Sequence, residues 1–215
     1  MDFIVLSSSR GTTFQAILDR LADGTLTATC LGLISDRKEH GCIEKARKFN
    51  LPVSIVERKK EESPEGYDRR LHKVVCALLD KGQRIKDKCI SPIPYPLSPI
   101  LVLIGWFSIL SPWFIQKFEN RILNIHPALL PRFGGKGMYG IKVHESVLNA
   151  REKESGMTIH IVNEQVDAGP ILLQKRCPVL PTDTPETLKR RVQELEKEWY
   201  PKVLQMIEEG VIQMN

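Results

Sequence analysis

The sequence predicts an α/β fold on a mostly parallel sheet, and three observations carry that expectation. Short apolar runs recur at Asp2–Ser7, Thr29–Ser35, Val53–Val56, Ile100–Ile104 and Arg121–Ile125. The segments between the early runs repeat apolar residues at helical spacing, and strands alternating with helices in this way join by right-handed crossovers into a parallel sheet. Two later runs, Met157–Val162 and Ile171–Cys177, are joined only by the turn Asn163–Pro170, which suits an antiparallel pair. The expected architecture is Rossmann-like: a mostly parallel twisted sheet of about seven strands, helices on both faces, and an antiparallel strand near the C-terminus.

Each element has its own signal. The first strand breaks at Ser7-Ser-Ser-Arg-Gly11-Thr-Thr13, and Phe14, Ile17, Leu18 and Leu21 then mark one helix face, closed by Asp23-Gly24. Gly41–Phe49 carries a narrow stripe of Ile43, Ala46 and Phe49, and Tyr67–Leu79 a broad one of Leu71, Val74, Val75, Leu78 and Leu79. From Lys81 to Pro99 the rhythm stops. Four prolines (92, 94, 96 and 99) follow a basic stretch there, which predicts an exposed extended insertion. After the fourth and fifth strands comes Arg132–Gly140, where glycines at 134, 135, 137 and 140 allow close approach to a ligand. A helix is expected over Val143–Ala150. Thr184 (N-cap), Pro185 and Thr187 open the long last helix.

Composition narrows the function classes. With 215 residues and 42% hydrophobic residues, the chain fits one domain spanning 1–215 with a sizeable core. Its net charge of +5 comes from basic residues interleaved with Glu and Asp, so a solvated surface is expected and a nucleic-acid footprint is not. The five cysteines (30, 42, 76, 89 and 177) contain no C-x-x-C pair and read as reduced structural residues. No signal peptide precedes the first strand and no apolar run reaches membrane-spanning length, so a cytoplasmic protein without membrane partners is expected. Monomer and homodimer both stay open.

Function is expected around Asn124-Ile-His126-Pro-Ala-Leu-Leu-Pro131. Residues two apart on a strand face one side, so Asn124 and His126 point together, and Pro127 ends the ladder. Polar groups at the end of a buried strand need partners, and open α/β sheets bind ligands there. On these residues alone the plainer reading is favoured: an Asn and a His satisfied by loop backbone. The loop Arg10, Gly11, Thr12 and Thr13 leads into a helix N-terminus, which attracts phosphate, although by itself a simple capped turn is the favoured account. Gln193 and Glu196 share a face of the last helix amid other charged residues. No Cys/His cluster supports a metal site.

Taken together, Asn124-Ile-His126-Pro, Leu129-Leu-Pro131 and Val166-Asp167-x-Gly169-Pro-Ile-Leu resemble the formyltransferase family that uses 10-formyltetrahydrofolate, over Phe3 to about Pro201. The likeness is greatest to the purine-synthesis branch acting on a phosphoribosyl amine. It implies formyl transfer from 10-formyltetrahydrofolate to the amine of glycinamide ribonucleotide, with Asn124, His126 and Asp167 catalytic and no metal. It places the substrate phosphate on residues 10–13 and the ribose hydroxyls on Glu196. It places the folate along Phe107, Ser108, Leu110, Ile115 and the turn holding Val162, Asn163 and Glu164. The chain departs from the family pattern where Ser9 replaces a Gly, Thr13 an Asn and Ser108 an Arg. A carboxylate at Asp167 is expected to raise the pKa of His126 and favour its cationic form. Methionyl-tRNA formyltransferases and formyltetrahydrofolate hydrolases share the three residues but carry additional domains. A non-catalytic nucleotide- or folate-binding module would have no use for all three.

Overall fold

The computed structural model describes residues 1–83 and 99–214. The elements are β1 (Asp2–Ser7), α1 (Thr12–Ala22), β2 (Thr29–Ser35), α2 (Gly41–Lys48), β3 (Val53–Ile55), α3 (Pro64–Gln83), β4 (Ile100–Ile104), α4 (Pro112–Lys117), β5 (Ile122–His126), α5 (Ile141–Asn149), β6 (Glu154–Ile161), β7 (Ile171–Pro178) and α6 (Pro185–Glu208). They build one sheet in the order β3-β2-β1-β4-β5-β6-β7. Its first five strands are parallel, β6 runs against β5, and β7 against β6.

The central strands are apolar throughout because both faces are buried. Phe3 and Val5, with Ile100, Val102 and Ile104, pack on one side with residues of α1, α2, α5 and α6. Ile4 and Leu6, with Leu101 and Leu103, pack on the other with α3 and α4. The order reverses between β1 and β4, so their C-terminal ends open the crevice where such sheets take ligands.

Several boundaries differ from the sequence reading, among them β6, which begins at Glu154 and not at Met157, and α5, which begins at Ile141 and not at Val143. α3 starts at Pro64, whose fixed φ suits a first helical turn. It also runs on to Gln83, so residues 81–83 of the expected insertion are helical, and residues 84–98 lie outside the described part. β5 ends on His126, which pairs with Thr158 and is thus held by the sheet instead of a loop. The four cysteines among the described residues, 30, 42, 76 and 177, are buried and form no disulfide with one another. No described helix is long and apolar enough to cross a membrane.

Candidate active site

On the face that α3 and α4 cover with apolar side chains, β5 and β6 change chemistry. Leu123 and Ile125 point into the α1/α6 layer, so Asn124 and His126 point the opposite way. The antiparallel register sets His160 opposite Asn124 and Thr158 opposite His126. Asn124 Nδ2 lies 3.1 Å from His160 Nε2, while His160 Nδ1 lies 3.0 Å from the Ile161 carbonyl. Those two distances fit a neutral His160 that donates from Nδ1 and accepts the Asn124 amide at Nε2.

Asp167 arrives from the turn after β6. Its φ of 57° is left-handed, a conformation Asp tolerates better than most residues. Gly169 lets that turn close, since a Cβ there would collide with the Ile161 carbonyl oxygen. The Asp167 carboxylate accepts the Gly135 N–H at 2.9 Å and faces His126 Nδ1 at 3.4 Å through the same oxygen. Its other oxygen is 3.5 Å from Asn124 Nδ2 and from His160 Nε2. The three sequence-predicted residues therefore form one cluster, with the glycine-rich loop joined to it at Gly135 and at Phe133, whose carbonyl lies 2.7 Å from His126 Nε2.

The charge state of His126 departs from the expectation. Burial lowers its pKa below the ordinary imidazole value, and the opposing pull of Asp167 and of the Phe133 carbonyl does not recover it. The imidazole, only 4% exposed, loses more hydration than one carboxylate restores. For Asp167 burial acts upward but is outweighed by hydrogen bonding from His160, by His126 and by the Gly135 N–H, so its carboxyl is held below the ordinary value. His160 cannot both accept from Asn124 and donate to Asp167, and the shorter distances favour acceptance. The Gly135 N–H serves Asp167 in either case, whereas His126 does so only once its Nδ1 is protonated. At neutral pH the pair is thus a neutral imidazole beside a carboxylate.

The loop after β1 lies at the sheet's reversal point. Gly11, with φ of 75°, caps α1 without any side-chain bond, and a Cβ there would meet the Cys42 Cα at 2.8 Å. The first turn of α1 is left open to an anion. Ser9, the departure from the family Gly, braces the loop from inside. Its hydroxyl accepts the Gly11 N–H at 3.2 Å and lies 3.0 Å from that of Ser7. Thr13 Oγ1 donates to Glu196 Oε2 at 2.9 Å, so residues 183 apart in sequence meet at this site. Arg10 and Thr12 are exposed, and Gln193 sits half-buried one turn before Glu196.

Burial raises the Glu196 carboxyl to about 7, against the opposing Thr13 hydroxyl and Lys189 charge. An acid whose folded pKa is raised stabilises most below its unfolded pKa, and that contribution fades as pH rises through the folded value. Glu196→Gln removes the ionisation and keeps an acceptor for Thr13. Its Tm advantage over the parent should grow between about pH 4.5 and 7 and then level off. The gain should be on the order of 2 kcal/mol, allowing for partial solvent screening. Thermal melts at pH 4.5 and 8 measure it, and an equal difference at both would contradict the assignment.

A family model described as Formyl transferase matches residues 1–204. The chain belongs to the formyl transferase family. It is 37% identical over 93% of its length to "Phosphoribosylglycinamide formyltransferase, chloroplastic" of Arabidopsis thaliana, of which it spans 63%. The Escherichia coli protein named phosphoribosylglycinamide formyltransferase is 29% identical over the whole chain and 91% of its own length. Among solved structures, glycinamide ribonucleotide transformylase 1 from Symbiobacterium toebii superimposes with a TM-score of 0.83 at 31% identity, over 98% of this chain and 88% of that one.

In this member of the family the segment after β4 divides in two. Leu110 and Ile115 are buried in the layer under α3, whereas Phe107 is 49% exposed and Ser108 half-buried. Phe107 is therefore the open apolar surface of that set. Val162 is half-buried, and its N–H donates to the Ile122 carbonyl. Asn163 Oδ1 accepts the Gln165 N–H, and Glu164 accepts from Gln116. Sequence reasoning missed Tyr139, half-exposed on the glycine-rich loop with its ring 5.7 Å from that of Phe107. His144 is 1% exposed, and burial, with Lys189 and His126 adding, lowers its pKa to about 4. Among the described residues no group of three or more His, Cys, Asp or Glu is arranged to hold a metal.

Proposed function

We propose that this chain is a phosphoribosylglycinamide formyltransferase: a single catalytic domain that moves the formyl group of 10-formyltetrahydrofolate to the amine of glycinamide ribonucleotide in purine synthesis. The observation that carries the reading is the meeting of Asn124, His126 and Asp167 at one end of the sheet, with the open N-terminus of α1 and Glu196 forming a neighbouring polar site. The names of the bacterial and plant relatives support it.

The geometry suits the chemistry. The amine attacks the formyl carbon and the carbonyl electrons move onto oxygen, giving a tetrahedral oxyanion. Asn124 spends one amide hydrogen on His160, and its contact to Asp167 at 3.5 Å is long, so the second hydrogen can turn to the stronger acceptor. The attacking nitrogen loses a proton to the His126–Asp167 pair. Neutral His126 donates from Nε2 to Phe133, leaving the Nδ1 lone pair facing Asp167 at 3.4 Å. A proton entering there makes an imidazolium bonded on both sides, whose charge also stabilises the oxyanion. Collapse breaks the bond between the formyl carbon and the folate nitrogen, which takes the proton back. No covalent enzyme intermediate is required.

Phosphate held by residues 10–13, ribose by Glu196 with Gln193 beside it, and folate between Phe107, Ser108 and the 162–164 turn complete the assignment. Substitutions at Arg10 or Thr12 should raise the KM for the acceptor severalfold and leave kcat nearly unchanged. Inorganic phosphate should compete with the acceptor and not with folate; competition against folate alone would move the phosphate site elsewhere. The deciding assay offers 10-formyltetrahydrofolate to glycinamide ribonucleotide, methionyl-tRNA and water. Transfer to the first only is expected, and turnover with either of the others alone would overturn the proposal.

A further inference from the structure

The segment Gly105–Ser111 is held at both ends by residues that do not belong to it. At its start, the Gly105 carbonyl accepts the Ser8 N–H at 3.2 Å. At its end, the Ser111 N–H donates to Asp68 Oδ2 at 2.5 Å. Asp68 is on α3, 43 residues away, and is 1% exposed. Its other oxygen is buried with no hydrogen-bond partner among the described residues. A carboxylate in such a place is costly, and one backbone N–H is a small return in stability. Burial raises its pKa, opposed by the bonding from Ser111 and by the charge of Arg58. A neutral apolar residue would serve the α3 layer better, packed as it is by Tyr67, Leu71 and Val75.

The bond does something that packing alone cannot. Ser111 is the N-cap of α4 and turns its own hydroxyl inward to Phe114 N. Its N–H is thus the last backbone donor of the segment carrying Phe107, Ser108 and Leu110, and Asp68 fixes that donor against the sheet. We propose that Asp68 is a positioning residue for the folate co-substrate: through the Ser111 N–H it sets the segment 105–111 so that Phe107 and its neighbours form the folate wall. The inference rests on the assignment of that segment to folate.

Three variants test it. Asp68→Asn keeps an acceptor oxygen for Ser111, Asp68→Ala removes it, and Ser111→Pro removes the donor, together with the hydroxyl cap on Phe114, without touching Asp68. Ser111 has φ −73° and ψ 155°, within the range of proline, so the third variant keeps the backbone course if Asp68→Ala fails to fold. Asp68→Ala and Ser111→Pro should raise the KM for 10-formyltetrahydrofolate roughly tenfold, since small misplacements of a positioning segment are expensive. The KM for glycinamide ribonucleotide should stay within about twofold, and Asp68→Asn should restore the parent folate KM. Hydrogen exchange should show the amides of 106–111 opening in Asp68→Ala, and Ser111 still protected in Asp68→Asn. Unchanged exchange in Asp68→Ala would overturn the inference. So would opened exchange with an unchanged folate KM, or equal rises in both KM values. A parent protein without formyl transfer would instead defeat the functional assignment, which the exchange measurement does not depend on.

Discussion

Asp167→Asn is expected to lower turnover by roughly 100- to 10,000-fold, the range of a general acid–base group, while folate binding changes little. Asn matches the shape of Asp and can still accept the Gly135 N–H that the carboxylate takes at 2.9 Å. What it removes is the charge facing His126 Nδ1 at 3.4 Å, and with it the stabilisation of an imidazolium formed in the reaction. The pH dependence carries a sign. His126 must start neutral, so activity falls on the acid side as it takes up a proton, below the ordinary imidazole pKa because burial lowers it. Asp167 is the largest influence acting upward on that pKa. Without it His126 becomes still harder to protonate, and the acidic limb should move to lower pH as the plateau drops. A kcat–pH profile for parent and variant checks both, and a limb displaced to higher pH would show that another group is being titrated.

Asn124→Ala and His126→Ala should each reduce kcat by about 100- to 1000-fold, the usual loss when one group stabilising an oxyanion is removed. The two differ in their side effects. Asn124 shares one hydrogen bond with His160 and a long contact with Asp167, so its loss frees His160 Nε2 without uncovering the core. His126 is 4% exposed and bonded to Phe133, and its removal also releases one of the two ties that join the glycine-rich loop to the cluster. Its variant should therefore show faster exchange at residues 133–137 as well as the loss of turnover. Single-turnover kinetics with both substrates saturating isolate the chemical step. Retention of parent turnover within a few-fold by either variant would remove that residue from the mechanism.

The parallel core and the shared orientation of Asn124 and His126 were legible in the chain because each depends on local periodicity. An alternation of two about one strand axis says which side chains point together, and an apolar run without alternation says that both faces are covered. The turn Val166-Asp167-x-Gly169 was legible through its likeness to the family motif, and the structure adds why it has that form: a left-handed Asp and a close-packed Gly. Tertiary structure alone decided the rest. His160 faces Asn124 because β6 pairs with β5 in one register, and register depends on two strands 36 residues apart. Thr13 meets Glu196 only after α6 packs across α1. His144 reads as an ordinary helix position until α5 is laid against the body of the domain and buries it. The protonation of His126 follows the same logic: a neighbouring carboxylate is implied by the family resemblance, but the depth of burial that overrules it is a sum over every element packed around the site.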